Sequence, residues 1–245
     1  MGDNVRDTGN RGGSLYFGDI SPTIVAAHEL KAPLVLLRQL SLSLGSDGLS
    51  QAEREEIIDH MTLTSERAIR LTTDLTQSQK IQTSLFEFEP VNSQQICEEV
   101  VYELLPLYKA HGREIRVSRR RGSLLAVANK DLLRRVMLNF ADNALHYGDE
   151  NTPIELWTSS RDNGETIRLG VRDYGPAVPI NTLEALSANL FRSQSLLARP
   201  SGSGLGLHIA RQFAEAMNGT IGTLRHRDGA TFYVDMQASR QLSLL

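Results

Sequence analysis

The sequence predicts an α+β fold: a helical hairpin that forms a dimeric four-helix bundle, followed by an α/β sandwich with a mainly antiparallel sheet. Three observations carry that expectation. Apolar residues recur at helical spacing through Ile20, Ile24, Ala27, Leu30, Leu34, Leu37 and Leu44, and again through Ile57, Met61, Ala68, Leu71 and Leu75. Further on, alternating runs at Ile154 to Thr158 and Thr166 to Val171 flank Asp162-Asn163-Gly164, and runs at Thr220 to Leu224 and Ala230 to Met236 flank Asp228-Gly229, the pattern of two antiparallel hairpins. Helical patterns fall between these runs, which places helices on one face of the sheet.

Residues 1 to 13, rich in Gly, Asn, Asp and Arg, carry too little apolar surface to fold and are expected to be a disordered tail. Ser21-Pro22 reads as an N-cap followed by Pro at the first helical position, opening a helix that runs to Leu44. Inside it, Pro33 frees the carbonyl of Glu29 and is expected to bend the helix. Gly45-Ser46-Asp47-Gly48 is a turn, and Ser50 with Glu53 makes a capping box for a second helix to about Ile81. Two such helices form half a core, so residues 14 to 81 are expected to pair with a second copy of the chain.

In residues 82 to 240, Leu85-Phe86-Glu87-Phe88 reads as a short strand before Pro90, Asn92 to Ala110 as a helix despite Pro106, and Glu114 to Ser118 and Leu124 to Ala128 as strands. Asn129 caps a helix to Tyr147, Pro176 to Ser201 is irregular, and a last helix spans Leu205 to Met217.

With 40% hydrophobic and 22% charged residues, the 245-residue chain can bury a sizeable core. A net charge of −3 argues against nucleic acid as a partner. The local cluster Arg113, Arg116, Arg119, Arg120 and Arg121 reads as the solvated end of a hairpin, with no function. Cys97 is the only cysteine, flanked by apolar Ile96 and Val100, so it is expected to be a buried, inert thiol in a reducing compartment. No run is long enough to span a membrane and no signal-peptide core is present, so the chain reads as cytoplasmic, without a membrane segment.

Four stretches bear chemistry. His28-Glu29-Leu30-Lys31-Ala32-Pro33-Leu34 sets an imidazole at the margin of the apolar stripe, where solvent or a partner reaches it; alone it reads as a surface His on a kinked amphipathic helix. Asn139, Asn143 and His146 fall at i, i+4 and i+7, opposite Leu133 and Met137. Asn is a poor interior helix residue, so two in line point either to a metal-bound phosphate or to a solvated polar face.

Asp173-Tyr174-Gly175-Pro176 follows a strand. A carboxylate there accepts a hydrogen bond from an exocyclic amine such as adenine's while Gly175 turns tightly around the ligand; the alternative is an ordinary turn. Gly202-Ser203-Gly204-Leu205-Gly206-Leu207 opens a helix, where backbone N–H groups and the dipole favour phosphate; the alternative is a flexible loop. No Gly-Lys-Ser/Thr follows, which excludes a P-loop, and Leu207 without a preceding strand excludes the dinucleotide fingerprint.

Taken in this order, the stretches resemble the transmitter core of sensor histidine kinases, with a HisKA-type dimerisation domain and a GHKL-type ATP-binding domain, over residues 15 to 238. The His28 stretch looks like the H box, Asn139 to Tyr147 the N box, Asp173 to Pro176 the G1 box, Leu190-Phe191-Arg192 the F box and Gly202 to Leu207 the G2 box. The resemblance implies ATP and Mg²⁺ as cofactors, His28 as phosphoacceptor with Glu29 as general base, and Asn143 as a Mg²⁺ ligand supported by Asn139. It also implies Tyr147 packing on adenine, Asp173 binding its amine, and Gly175, His146, Gly202, Gly204, Leu205 and Gly206 around the nucleotide, with Arg192 or Arg199 steadying the γ-phosphate. The partners it implies are a second copy, giving a homodimer, and the receiver domain of a response regulator, whose Asp takes the phosphoryl group.

Three positions depart from the family pattern. His146 stands where Lys is usual and gives a weaker, pH-sensitive phosphate contact; Ala177 replaces the second Gly of the G1 box; Ala32 replaces the common Thr or Asn after the His. The first two favour a rival reading, a phosphotransfer or docking module whose ATP domain is degenerate.

Overall fold

The structure, a computed structural model, describes residues 22–46, 48–80, 87–118, 124–149, 152–175 and 205–240. Two long helices, α1 (Pro22–Leu44) and α2 (Gln51–Lys80), form the expected hairpin, and Pro33 is accommodated inside α1. The capping box forms as read: the Ser50 N–H donates to the Glu53 carboxylate at 2.8 Å, and the Glu53 N–H donates to the Ser50 hydroxyl at 3.3 Å. The Ser50 hydroxyl and N–H together hold the Glu53 carboxyl below its ordinary value. The second helix carries two apolar stripes. Leu63, Leu71 and Leu75 pack against the main core, whereas Ile58 and Ile69 stand exposed.

The remaining elements are β1 (Glu89–Asn92), α3 (Ser93–Ala110), β2 (Ile115–Val117), β3 (Leu125–Ala128), α4 (Lys130–Tyr147), β4 (Ile154–Arg161), β5 (Thr166–Tyr174), α5 (Leu205–Ala216), β6 (Thr220–His226) and β7 (Gly229–Gln237). Five strands form one sheet in the order β2-β4-β5-β7-β6, antiparallel except for the parallel β2–β4 pair, and β1 with β3 makes a second, two-stranded sheet. The expected mainly antiparallel sheet is therefore present.

Local signals set the helix ends. The Asn92 side chain accepts from the Gln94 and Gln95 N–H groups at 3.0 and 3.3 Å, opening α3, and the Asn129 side chain accepts from the Leu132 N–H at 3.1 Å, opening α4. Pro106 does not break α3. The carbonyl it leaves without a donor belongs to Tyr102, a residue 82% exposed, so water can take that place.

Two strand expectations need correction. The strand placed at Leu85–Phe88 begins instead at Glu89: Glu87 and Phe88 are not in a strand, and Leu85 and Phe86 lie outside the described residues. Pro90, expected to lie beyond the strand, sits inside β1 opposite Val127, because β1 pairs on one side only and needs no second row of N–H donors. The hairpin strands are also longer than their alternation. Pairing with β7 carries β5 as far as Tyr174, so Asp173 lies within the strand, opposite Ala230, and not after it.

One face of the five-stranded sheet is the core, where Leu156, Leu169, Val171, Phe232 and Val234 meet Leu133, Met137 and Phe140 of α4 and Phe213 of α5. The opposite face is polar: Arg168 makes a bidentate bond to Asp235 at 2.6 and 2.7 Å and stacks 3.6 Å over the Tyr233 ring. Cys97 is buried as expected, and burial pushes its thiol up to about 12, which leaves it unreactive.

Candidate functional site

Helix α4 is the floor of the site, and three devices fix it. Asn129 caps its start. In the middle, the buried Tyr108 hydroxyl donates to the Ala141 carbonyl at 2.7 Å. At its end, the Arg113 guanidinium donates to the carbonyls of Ala144 at 3.3 Å, Leu145, and Asp149 at 2.8 Å. Arg113 is 7% exposed, which overturns its reading as part of a solvated hairpin end. The physical reason lies in the helix: its last carbonyls have no intrahelical donor and carry the negative end of the dipole, a place where a buried cation is stabilised. Arg116 does stand at the surface, paired with Glu155, and Arg119, Arg120 and Arg121 lie outside the described residues.

Above the end of α4 stands Asp173. It points from β5 to the helix side of the sheet, as its strand neighbour Val171 does, and is 5% exposed. Its Oδ1 accepts from the Ala230 N–H at 2.9 Å. Burial raises the carboxyl above its ordinary value, while the Ala230 N–H, Arg172 and Arg113 pull it back part of the way. Glycines crowd this carboxyl: a Cβ on Gly229, whose φ is 124°, would come within 2.7 Å of Oδ1, and one on Gly148 within 3.3 Å of the Asp173 Cβ. Gly175 follows, its N–H donating to the Asp228 carbonyl at 3.1 Å.

The two asparagines of α4 differ in their surroundings. The Asn139 amide nitrogen donates to the Arg135 carbonyl at 2.9 Å and to the Asp74 carboxylate of α2 at 3.4 Å. Its oxygen lies over the first turn of α5, so close that a Cβ on Gly206 would approach it to 2.9 Å. The Asn143 amide nitrogen is buried and has no hydrogen-bond partner among the described residues. Such an orphan fits a group the chain does not supply: an oxygen of a bound nucleotide for the N–H or, with the amide rotated, a cation for the carbonyl oxygen.

The structure thus sets Gly206 against Asn139, and Gly175 and Asp173 against the end of α4, with Asn143 between them along the helix, because α4 packs against both β5 and α5. His146 and Tyr147 occupy the last turn of α4, His28 and Glu29 lie in α1, and Leu205 starts α5; the side chains of these five lie outside the described set. Ala177, Arg192, Arg199, Gly202 and Gly204 lie outside the described residues altogether. Three residues at the site escaped the sequence reading. Arg113 was hidden in a run of arginines, and Asp74 and Arg135 face each other across 61 residues of sequence. The available signal for Asp74 was an acid set between Leu71 and Leu75 on the stripe of α2.

The site is thus a mixed sheet backed by helices, with a buried aspartate near the end of β5 beside the end of α4 and two asparagines further back along that helix. Residues 128–240 match the family described as histidine kinase-, DNA gyrase B-, and HSP90-like ATPase. Across most of its length the chain is homologous to sensor histidine kinases. It is 28% identical over 210 residues to the adaptive-response sensory kinase SasA of Synechococcus sp., covering 85% of this chain and 54% of the relative. It is also 28% identical over 219 residues to the sensor histidine kinase YkoH of Bacillus subtilis, covering 88% and 46%. The chain spans about half the length of these relatives. Full-length ShkA, solved in complex with AMPPNP, shares the fold with a TM-score of 0.58 at 24% identity over 92% of this chain and 48% of that one. So does the Acinetobacter baumannii histidine kinase AdeS, with a TM-score of 0.57 at 15% identity over 87% and 98%.

Proposed function

We propose that the chain is the core of a two-component histidine protein kinase, moving the γ-phosphoryl group of ATP to His28 and from there to an Asp on the receiver domain of a response regulator. The observation that carries this reading is a chain that joins a domain matching the ATPase family, with Asp173 buried beside the end of α4, to a helical hairpin whose α1 bears His28 and Glu29. In it, residues 14 to 81 are the dimerisation and phosphotransfer domain and 82 to 240 the catalytic domain, behind a tail of 1 to 13.

Asp173 accepts the adenine amine, and Gly175, His146, Tyr147, Arg192, Gly202, Gly204, Leu205 and Gly206 enclose the rest of the nucleotide. Asn143, with Asn139 beside it, would hold Mg²⁺, which neutralises phosphate charge when bound. An imidazole nitrogen of His28 then bonds to the γ-phosphorus as the bond to the bridging oxygen breaks, ADP leaves, and Glu29 takes the imidazole proton.

Exposed Leu34, Ile58 and Ile69 support a homodimer, since a single hairpin leaves them in water and a four-helix bundle buries them. Ala32, Val35, Gln39 and Leu42 are exposed on one face of α1, in line with a docking surface for the receiver domain. Among the described residues no helix is long and apolar enough to cross a membrane. We place the chain in the cytoplasm.

Incubation with ATP labelled in the γ-phosphate tests the reading. The expected result is a label on the protein that acid removes and alkali spares, as for a phosphoramidate, and that a receiver domain can take away. ATP binding without label would favour the rival docking module.

A further inference from the structure

We propose that Asp74, on the hairpin helix α2, is a positioning residue for the nucleotide site: with Arg135 it orients the Asn139 amide, so the site is complete only while the hairpin is docked. The inference rests on the reading of Asn139 as a support for Mg²⁺. Asp74 is 3% exposed, and the partners that satisfy it come from α4: the Arg135 guanidinium forms an ion pair with it, and the Asn139 amide nitrogen donates to it at 3.4 Å.

The Asn139 amide has two ends, and the cluster decides which way they point. Its NH₂ group spans the Arg135 carbonyl, at 2.9 Å, and the Asp74 carboxylate, so its oxygen is turned to the first turn of α5. A Cβ on Gly206 would lie 2.9 Å from that oxygen, so any larger residue there would have to displace the amide. Without the carboxylate, the amide keeps one backbone bond and is free to turn over. Three elements therefore meet at one side chain: hairpin helix, site helix and the helix at which the glycine-rich stretch ends.

The surroundings keep this junction dry and in register. Leu71 and Leu75 pack on the core on either side of Asp74, and the hairpin is held at the same level by Arg67 with Asp142 at 3.0 Å and Arg70 with Glu103 at 2.9 Å. Exclusion of water strengthens the charged contacts that are made and penalises those left open. His28 lies sixteen residues before α1 ends, and Arg67 lies sixteen residues after α2 begins, so in an antiparallel hairpin the two are level. Asp74 stands two turns further along α2. One rigid helix thus flanks the phosphoacceptor and reaches the nucleotide site. A displacement of the hairpin changes nucleotide affinity, and a bound nucleotide strengthens docking by the same factor.

The test is an ATP titration of the full chain with Mg²⁺ and, separately, with EDTA. Asp74→Ala is expected to weaken binding about tenfold with Mg²⁺, the worth of one hydrogen bond to a charged group, and to leave the EDTA arm unchanged. Asp74→Asn keeps an acceptor and is expected to lose only about threefold, again in the Mg²⁺ arm alone; it carries the test should the alanine variant not fold. Equal losses in both arms would reduce Asp74 to a structural contact and overturn the proposal. Asn139→Ala separates the two levels of inference: if it weakens Mg²⁺-dependent binding and Asp74→Ala does not, the positioning role fails and the pocket stands. If neither variant changes the titration, the reading of Asn139 fails with it.

Discussion

Replacing Arg113 by Ala is expected to destabilise the protein by about 3 kcal/mol, because it removes three charge-assisted hydrogen bonds at the end of α4 and takes the guanidinium donor from the Leu145 carbonyl, while Ala144 keeps the Gly148 N–H and Asp149 keeps the Thr152 N–H and hydroxyl. The guanidinium serves Ala144, Leu145 and Asp149 together, and its charge sits at the negative end of the helix dipole. Arg113→Lys restores the charge without the planar fork that reaches all three, so it is expected to recover only part of the loss. Urea unfolding of the three proteins measures this. A midpoint unchanged in the alanine variant would mean that water replaces the guanidinium at no cost and that the end of α4 is less buried than described.

Asp173→Ala is expected to weaken ATP binding about a hundredfold, since the contact it removes is a hydrogen bond to a charged, desolvated acceptor. Acid should have the same effect on the wild type. The carboxyl is raised by burial, so it protonates and stops accepting from the adenine amine at a higher pH than an ordinary aspartate, near about 3.9. Binding is then lost as pH falls through that raised value. Stability moves the other way: the native state holds the proton more tightly than the unfolded chain, so ionising Asp173 costs stability as pH rises across the same window. Calorimetric titration of ATP from pH 4 to 7 reads the first effect, and Asp173→Asn should remove the part of the acid-side loss that Asp173 contributes, leaving the pH dependence that His146 and ATP itself contribute. A profile identical in wild type and the asparagine variant would remove Asp173 from the nucleotide contact.

Both effects depend on burial, and burial is where reading the sequence stopped short. The sheet, its hairpins and two of the helix caps were legible because their signals are local: alternation along a strand, Asn129 before a helix, Ser50 three residues ahead of Glu53. The asparagines of α4 and Asp173 were legible by spacing and by their place at element ends. What was not legible is which charges are buried, since that is settled by partners distant in the chain. Arg113 meets carbonyls 31 to 36 residues away, and Asp74 meets Asn139 across 65. In a local window each is one more charged residue among solvated ones. Pro90 misled for a related reason, because whether a strand tolerates Pro depends on whether it lies at an edge, and that is a property of the sheet.

The central claim is that the ATP domain serves one imidazole, and the most direct measurement is self-labelling of His28→Ala beside the wild type with γ-labelled MgATP. The substitution leaves five of the six histidines in place and touches none of the residues assigned to the nucleotide. The account predicts complete loss of the acid-labile label with ATP affinity unchanged; an undiminished label on His28→Ala would contradict it.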